Sequence, residues 1–257
     1  MQIDLDIALE SAAIAADIVS RGFRQTTTHS LKSTAVDPVT EFDQAAETAI
    51  REFLADRVPD DAILGEEEGG AGWQTGRVWI IDPLDGTINF LHGVPHVAVS
   101  VALWVDGVPR VAVVRDVIGG EVFSAVAGRG ARVDEESVRV SSTSDPVAAL
   151  VATGFPYDRR ERAGELATVL GKVLAEVQGI RRLGSAALDL CWVAAGRFDA
   201  YWEYQLQPWD TAAGQLIVAE AGGLVTDLAG SPYVPDAPGI VASNGRLHAT
   251  LLEILSP

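Results

Sequence analysis

The sequence predicts an α+β protein in which sheets are layered between helices. Three observations carry this. Apolar residues repeat at helical spacing near the N-terminus. Apolar, β-branched runs joined by tight turns fill the middle of the first half. Strand and helix patterns then alternate to the end of the chain.

In MQIDLDIALESAAIAADIVSRGF, Ile3, Ile7, Ile14 and Ile18 recur at helical intervals, so this segment reads as an amphipathic helix. TEFDQAAETAIREFLADRV (40–58) reads as a second helix, with Thr40 as cap and Asp43 in the first turn. AILG (62–65) and VWII (78–81) are short strands. VAVSVALWV, VPRVAVVRDV and EVFSAVAG form an antiparallel meander, turned at Asp106-Gly107 and Gly119-Gly120. In the second half the pattern gives strands near 149–152 and 180 and at 198–203, 224–227 and 239–242. Helices fall between them at 159–177, 185–195 and 209–221, and a last one at 245–255. The stretch near 228–239 reads as a loop. The expected organisation is one domain with two lobes, about 1–145 and 146–257.

Whole-chain properties narrow the function. The chain has 257 residues, enough for a sizeable core, and 48% of them are hydrophobic. Lys and Arg number 19 against 36 Asp and Glu, a net charge of −17. Such a chain has no electrostatic footprint for nucleic acid or an anionic membrane. An anionic substrate would need cations recruited locally. One cysteine, Cys191, permits no intrachain disulfide, which suits a reducing cytoplasm. The N-terminus carries Asp4, Asp6 and Glu10 where a signal peptide would be basic and then apolar. The longest strongly apolar stretch, 97–105, is too short to span a bilayer.

The acids gather where elements end. Glu66 and Glu67 follow AILG in GEEEGG, Asp82 and Asp85 follow VWII in DPLDGT, and Asp210 opens a helix after a proline. Each has a plainer reading alone: a solvated acidic loop, a helix-start charge at Asp43, a cap at Asp210. DPLDGT resists one. It holds two like charges three residues apart on a stiff turn, and like charges repel unless something neutralises them. Pro83 stiffens the backbone, Gly86 allows a ligand close to the chain, and amides at Gly86 and Thr87 can receive a phosphate. The histidines (His29, His92, His96, His248) make no zinc-like pattern with Cys191. Carboxylates at loop positions suit a hard cation such as Mg²⁺.

These motifs resemble the inositol monophosphatase family. WIIDPLDGTINFLHG and WDTAAGQLIVAEAGG resemble its two signatures. LKSTAVDPVTEFD, LGEEEG and GSAALDLCWVAAGRFDAYWE are similar to its other blocks, in order, over nearly the whole chain. Ile88, where many members have threonine, and QLQPW before Asp210 depart from the usual pattern. The resemblance implies a layered αβαβα sandwich of the inositol monophosphatase and fructose-1,6-bisphosphatase type. It implies a Mg²⁺-dependent, lithium-sensitive phosphatase, usually homodimeric. Glu66, Asp82 and the Leu84 carbonyl would hold one Mg²⁺, and Asp82, Asp85 and Asp210 a second. A third, weaker ion would sit near Glu66. Asp43 would bond Thr87, and Thr87 with Glu66 would orient the attacking water. Asp85, Gly86, Thr87, Ala186 and Glu203 would bind substrate, and Lys32 and Asp37 would lie on a mobile loop. Glu67 is expected to point away from the metals, and His92 to be a structural hydrogen-bonder near the site. The first-choice substrate is inositol 1-phosphate, with histidinol phosphate, fructose 1,6-bisphosphate and phosphoadenosine phosphate as alternatives. A non-catalytic, protein-binding role is the competing class.

Overall fold

The computed structural model describes residues 1–25, 28–32, 38–70 and 72–256. The chain opens with α1 (Gln2–Gly22), a short hairpin of β1 (His29–Leu31) and β2 (Pro38–Thr40), and α2 (Glu41–Arg57). Then come β3 (Ala62–Gly65), β4 (Gly69–Gly70), β5 (Arg77–Asp85) and the short α3 (Thr87–His92). A meander follows: β6 (Ala98–Val105), β7 (Val108–Asp116), β8 (Val122–Val126), β9 (Ala131–Val133) and β10 (Glu136–Val138). The second half is β11 (Leu150–Thr153), α4 (Ala163–Glu176), β12 (Gly179–Arg181), α5 (Ala186–Ala194), β13 (Ala200–Tyr204), α6 (Pro208–Glu220), β14 (Leu224–Thr226), β15 (Gly239–Ser243) and α7 (His248–Leu255).

One sheet has eight strands in the order β10-β9-β8-β7-β6-β5-β3-β4, and a second has five in the order β12-β11-β13-β15-β14. Among the described residues of the larger sheet, only β3 and β5 run parallel. Side chains alternate across each strand, and this alternation builds the layers. Trp79, Ile81, Val99, Val101, Leu103 and Val113 face α1 and α2. Val78, Ile80, Ala102, Ala112 and Val114 face the other way and join α5 and α6. Tyr201, Ile240 and Ala242 of the smaller sheet close on the same two helices. Ala200, Trp202 and Val241 point outward to α4 and α7. The result is five layers: helices, sheet, helices, sheet, helices.

Several expected elements are corrected. In α1, Ile3 is 74% exposed, and the buried stripe runs Ile7, Ala8, Ser11, Ala12, Ala15, Ala16 and Val19. Small residues let α1 pack closely on α2 and the sheet, so the buried stripe is mostly alanine and keeps Ile7 of the isoleucines. α4 begins at Ala163, not 159, and α7 at His248, not 245. β5 does not stop at Ile81 but runs to Asp85, through the DPLD turn. Among the described residues, no helix is long and apolar enough to cross a membrane.

Candidate active site

The site forms where the ends of β3, β5 and β13 meet the starts of α2, α5 and α6. Asp82 and Asp85, three residues apart, would fall on opposite faces of a regular strand. Pro83 has no N–H for the ladder, and the β5–β6 register slips between the two acids. Both therefore line one cleft of ≈ 780 Å³ that includes the solvent at its mouth. Gly86 ends the strand at φ 96° and starts α3. A Cβ there would stand 2.9 Å from the His96 carbonyl oxygen, so only glycine fits without strain.

Other elements bring their groups to the same cleft. Asp82 Oδ1 accepts from the Leu84 N–H at 3.0 Å. Thr87 Oγ1 lies 3.0 Å from Asp43 Oδ1 and 3.2 Å from the Leu84 carbonyl, with one proton to share between them. The other Asp43 oxygen accepts from the Thr40 N–H at 2.9 Å, completing a capping box at the start of α2. Asp85 Oδ2 accepts from Ser185 Oγ at 2.6 Å and from the Ala187 N–H at 2.8 Å, which ties β5 to the start of α5. Asp210 is not a cap but the third residue of α6, with Oδ2 accepting from the Gln207 N–H at 2.7 Å. Glu66, Asp82, Leu84, Asp85, Gly86, Thr87, Ala186, Glu203 and Asp210 all line the cleft. Asp43 is fully buried beneath Thr87.

Lys32 projects into this acidic group. Its ammonium donates to Glu66 Oε1 at 2.7 Å and to Glu67 Oε1 at 2.5 Å, and the pair holds its pKa above the usual lysine range. Glu67 thus shares the Lys32 ammonium with its neighbour Glu66. Asp37 lies outside the described residues. His92 is exposed. The buried histidine near the site is His96, with Nε2 3.2 Å from Asp189 Oδ1.

Burial raises the pKa of Asp82 and Asp210 well above the usual carboxylate range, and the negative charges of Glu66 and Asp85 add to it for both. Burial raises Asp85 too, against the donors from Ser185 and Ala187. It pushes Glu66 up to about 7 even with Lys32 beside it. Buried carboxylates this close can ionise together only if a cation joins them. The donor set is all oxygen, as a hard divalent ion requires, so the residues fit Mg²⁺. Among the described residues, no three His, Cys, Asp or Glu side chains already converge as a finished coordination shell. Here the acids spend oxygens on Leu84, Ser185, Gln207 and Lys32.

Comparison with known proteins settles the relationship. The family model for the inositol monophosphatase family matches residues 2–257. The chain belongs to the inositol monophosphatase family. Within the family, it is 43% identical to the Nus factor SuhB of Pseudomonas aeruginosa, over 100% of this chain and 97% of that protein. It is 48% identical to the inositol-1-monophosphatase of Mycobacterium leprae, over 76% of this chain and 69% of that one. The solved extragenic suppressor protein suhB from Bartonella henselae superposes with a TM-score of 0.94 at 38% identity, covering 99% of this chain and 98% of that one. The inositol monophosphatase from Anabaena sp. PCC 7120 gives 0.89 at 38%, covering 99% and 95%. The layered fold is that of the family's solved members.

Some participants escaped the motif reading. Glu47 is buried and accepts from the Glu67 and Glu68 N–H groups at 2.7 and 3.0 Å, holding the acidic loop in shape. Ser185 falls at the start of the predicted 185–195 helix, and nothing in the sequence points from it to Asp85; in the structure it is the cap of α5. Arg159 and Arg182 bring positive charge to the cleft wall with no sequence pattern to announce them.

Proposed function

We propose that this chain is a Mg²⁺-dependent phosphatase hydrolysing a small phosphate monoester, with inositol 1-phosphate as the first-choice substrate. The supporting observation is that Glu66, Asp82, Asp85 and Asp210, from three separate segments, share one cleft with the Thr87–Asp43 pair. Glu66, Asp82 and the Leu84 carbonyl would hold one ion, and Asp82, Asp85 and Asp210 a second, with a third near Glu66. Bound Mg²⁺ supplies charge to offset the dianionic ester, acidifies a water and stabilises the leaving alkoxide.

The chain's own groups then have these tasks. Asp43 fixes the Thr87 hydroxyl, and Thr87 with Glu66 orients the attacking water in line with the phosphorus. The Gly86 and Thr87 amides receive the phosphate. Asp85, the Ala186 backbone and Glu203 accept or direct the ring hydroxyls. Lys32 donates to Glu66 from the segment that precedes α2. Lithium inhibition and a homodimer complete the proposal.

Release of phosphate from inositol 1-phosphate with Mg²⁺, and none with EDTA, is the direct test. No turnover of this ester, histidinol phosphate, fructose 1,6-bisphosphate or phosphoadenosine phosphate would sink the enzymatic reading. Glu203→Gln weakens a hydrogen bond to a charged group. It should cost roughly 1.5–3 kcal/mol, about 10- to 150-fold in kcat/KM, on inositol 1-phosphate. On p-nitrophenyl phosphate, which lacks ring hydroxyls, it should cost almost nothing.

A second reading, a non-catalytic protein-binding regulator, is favoured by one observation: several relatives matched almost end to end carry the name Nus factor SuhB. An Asp210→Asn chain that loses turnover yet replaces such a relative in its host would support it.

A further inference from the structure

Glu203 sits near the end of β13, on the face turned toward the central helices and the cleft. Tyr201, two residues earlier, lies on the same face and is completely buried. Its hydroxyl donates to Glu203 Oε2. Among the described residues, no other hydrogen bond reaches the Glu203 carboxylate. Gly154, just after β11, packs its bare Cα against that carboxylate, and a methyl group there would overlap both oxygens.

We propose that Tyr201 is a positioning residue for substrate selection. With Gly154 it pins the Glu203 carboxylate so that Oε2 is committed to the protein and Oε1 accepts one hydroxyl of a polyol phosphate. This rests on the reading of Glu203 as the hydroxyl acceptor and goes beyond it. A free carboxylate would swing and could accept from two neighbouring hydroxyls at once. A pinned one offers a single acceptor in a single direction, and so discriminates stereochemistry at one carbon.

The charges around Glu203 agree with this arrangement. Burial pushes its carboxyl up to about 7, with Asp189 of α5 and Asp85 of β5 adding to the rise. The Tyr201 hydroxyl and the Arg182 guanidinium oppose it, favouring the ionised form. Asp210 of α6 also faces Glu203 electrostatically. Tyr201 cannot ionise to spoil the bond, because burial holds its phenol well above the usual tyrosine range.

Tyr201→Phe keeps the ring and removes only the donor. In the Mg²⁺-loaded protein, kcat/KM for inositol 1-phosphate should fall roughly 3- to 10-fold, the scale of one net hydrogen bond. The value for p-nitrophenyl phosphate should stay within about twofold. Equal losses on both esters, or none on either, overturn the inference. Gly154→Ala should reproduce the selectivity of Glu203→Gln by pushing the carboxylate aside, and an unchanged ratio of the two esters also counts against the clamp. If Glu203→Gln is selective and Tyr201→Phe is not, the functional reading survives and this inference falls. One measurement needs no turnover: carbon-detected NMR titration of ¹³C-labelled Glu203. Its carboxyl pKa should rise in Tyr201→Phe, since a donor to the charged form is lost. An unmoved titration overturns the proposal even if no ester is hydrolysed.

Discussion

Asp210 divides its carboxylate between two tasks. Oδ2 accepts the Gln207 N–H at 2.7 Å at the start of α6, while the group as a whole lines the cleft. Asp43 does the same, with one oxygen for Thr40 and one for Thr87. Such residues look like helix-start charges in a sequence, and each does accept the N–H of its helix's cap residue; what the sequence hides is the second oxygen. Asp210→Asn keeps the shape and an acceptor for Gln207 but removes the charge. The apo variant should melt within a few degrees of the unmodified chain. Its turnover at limiting Mg²⁺ should fall by more than the roughly 10- to 100-fold typical of an outer-shell partner. Near-normal rates at limiting Mg²⁺ would remove Asp210 from the ligand set.

At the scale of elements, α1 shows how periodicity can be read twice. The isoleucine spacing is helical, and so is the spacing of Ala8, Ala12, Ala15 and Val19; the second stripe is buried throughout, whereas of the isoleucines Ile7 is buried and Ile3 is exposed. The helix itself was legible because both patterns share a period of 3.6. Its rotation was not, because rotation is chosen by how closely α2 and the sheet must approach. Ala15→Leu should overpack this contact and cost about 1–3 kcal/mol. Ile3→Ala, at a 74% exposed position, should change stability by less than about 0.5 kcal/mol. Chemical denaturation of the two variants checks this, and the reverse order would restore the isoleucine face. β5 teaches a related lesson. Its apolar run was plain, but the strand continues through Pro83 because a bulge absorbs the missing donor.

The whole molecule couples proton and metal binding. Glu66 and Glu203 are both raised from an ordinary 4.5 to about 7 when folded, and Asp82 and Asp210 are raised as well. Acids with raised folded pKa values bind more protons folded than unfolded. The stability tied to them is present below the unfolded pKa and is lost as pH climbs through the folded one. The metal-free protein should therefore lose stability between about pH 4.5 and 7, the window set by Glu66 and Glu203. Melting in EDTA should come at a lower temperature at pH 8 than at pH 5.5. Added Mg²⁺ should raise the midpoint more at pH 8, where the acids are ionised and bind it. A metal-free midpoint that climbs steadily to pH 8 would contradict the charge assignment.

Read alone, the sequence determined the layered α+β class, the order of the main elements and the acids worth watching. These follow from local periodicity and from turn chemistry, which neighbours along the chain decide. Tertiary structure decided which acids meet, since β3 pairs with β5 within the larger sheet and α6 packs on the face of that sheet. It decided that Lys32 reaches Glu66 across 34 residues and that Ser185 reaches Asp85 across 100. It also decided that the Tyr201 hydroxyl holds Glu203 deep inside the fold. Contacts between side chains distant in sequence depend on the packing of whole layers, and no local pattern encodes them.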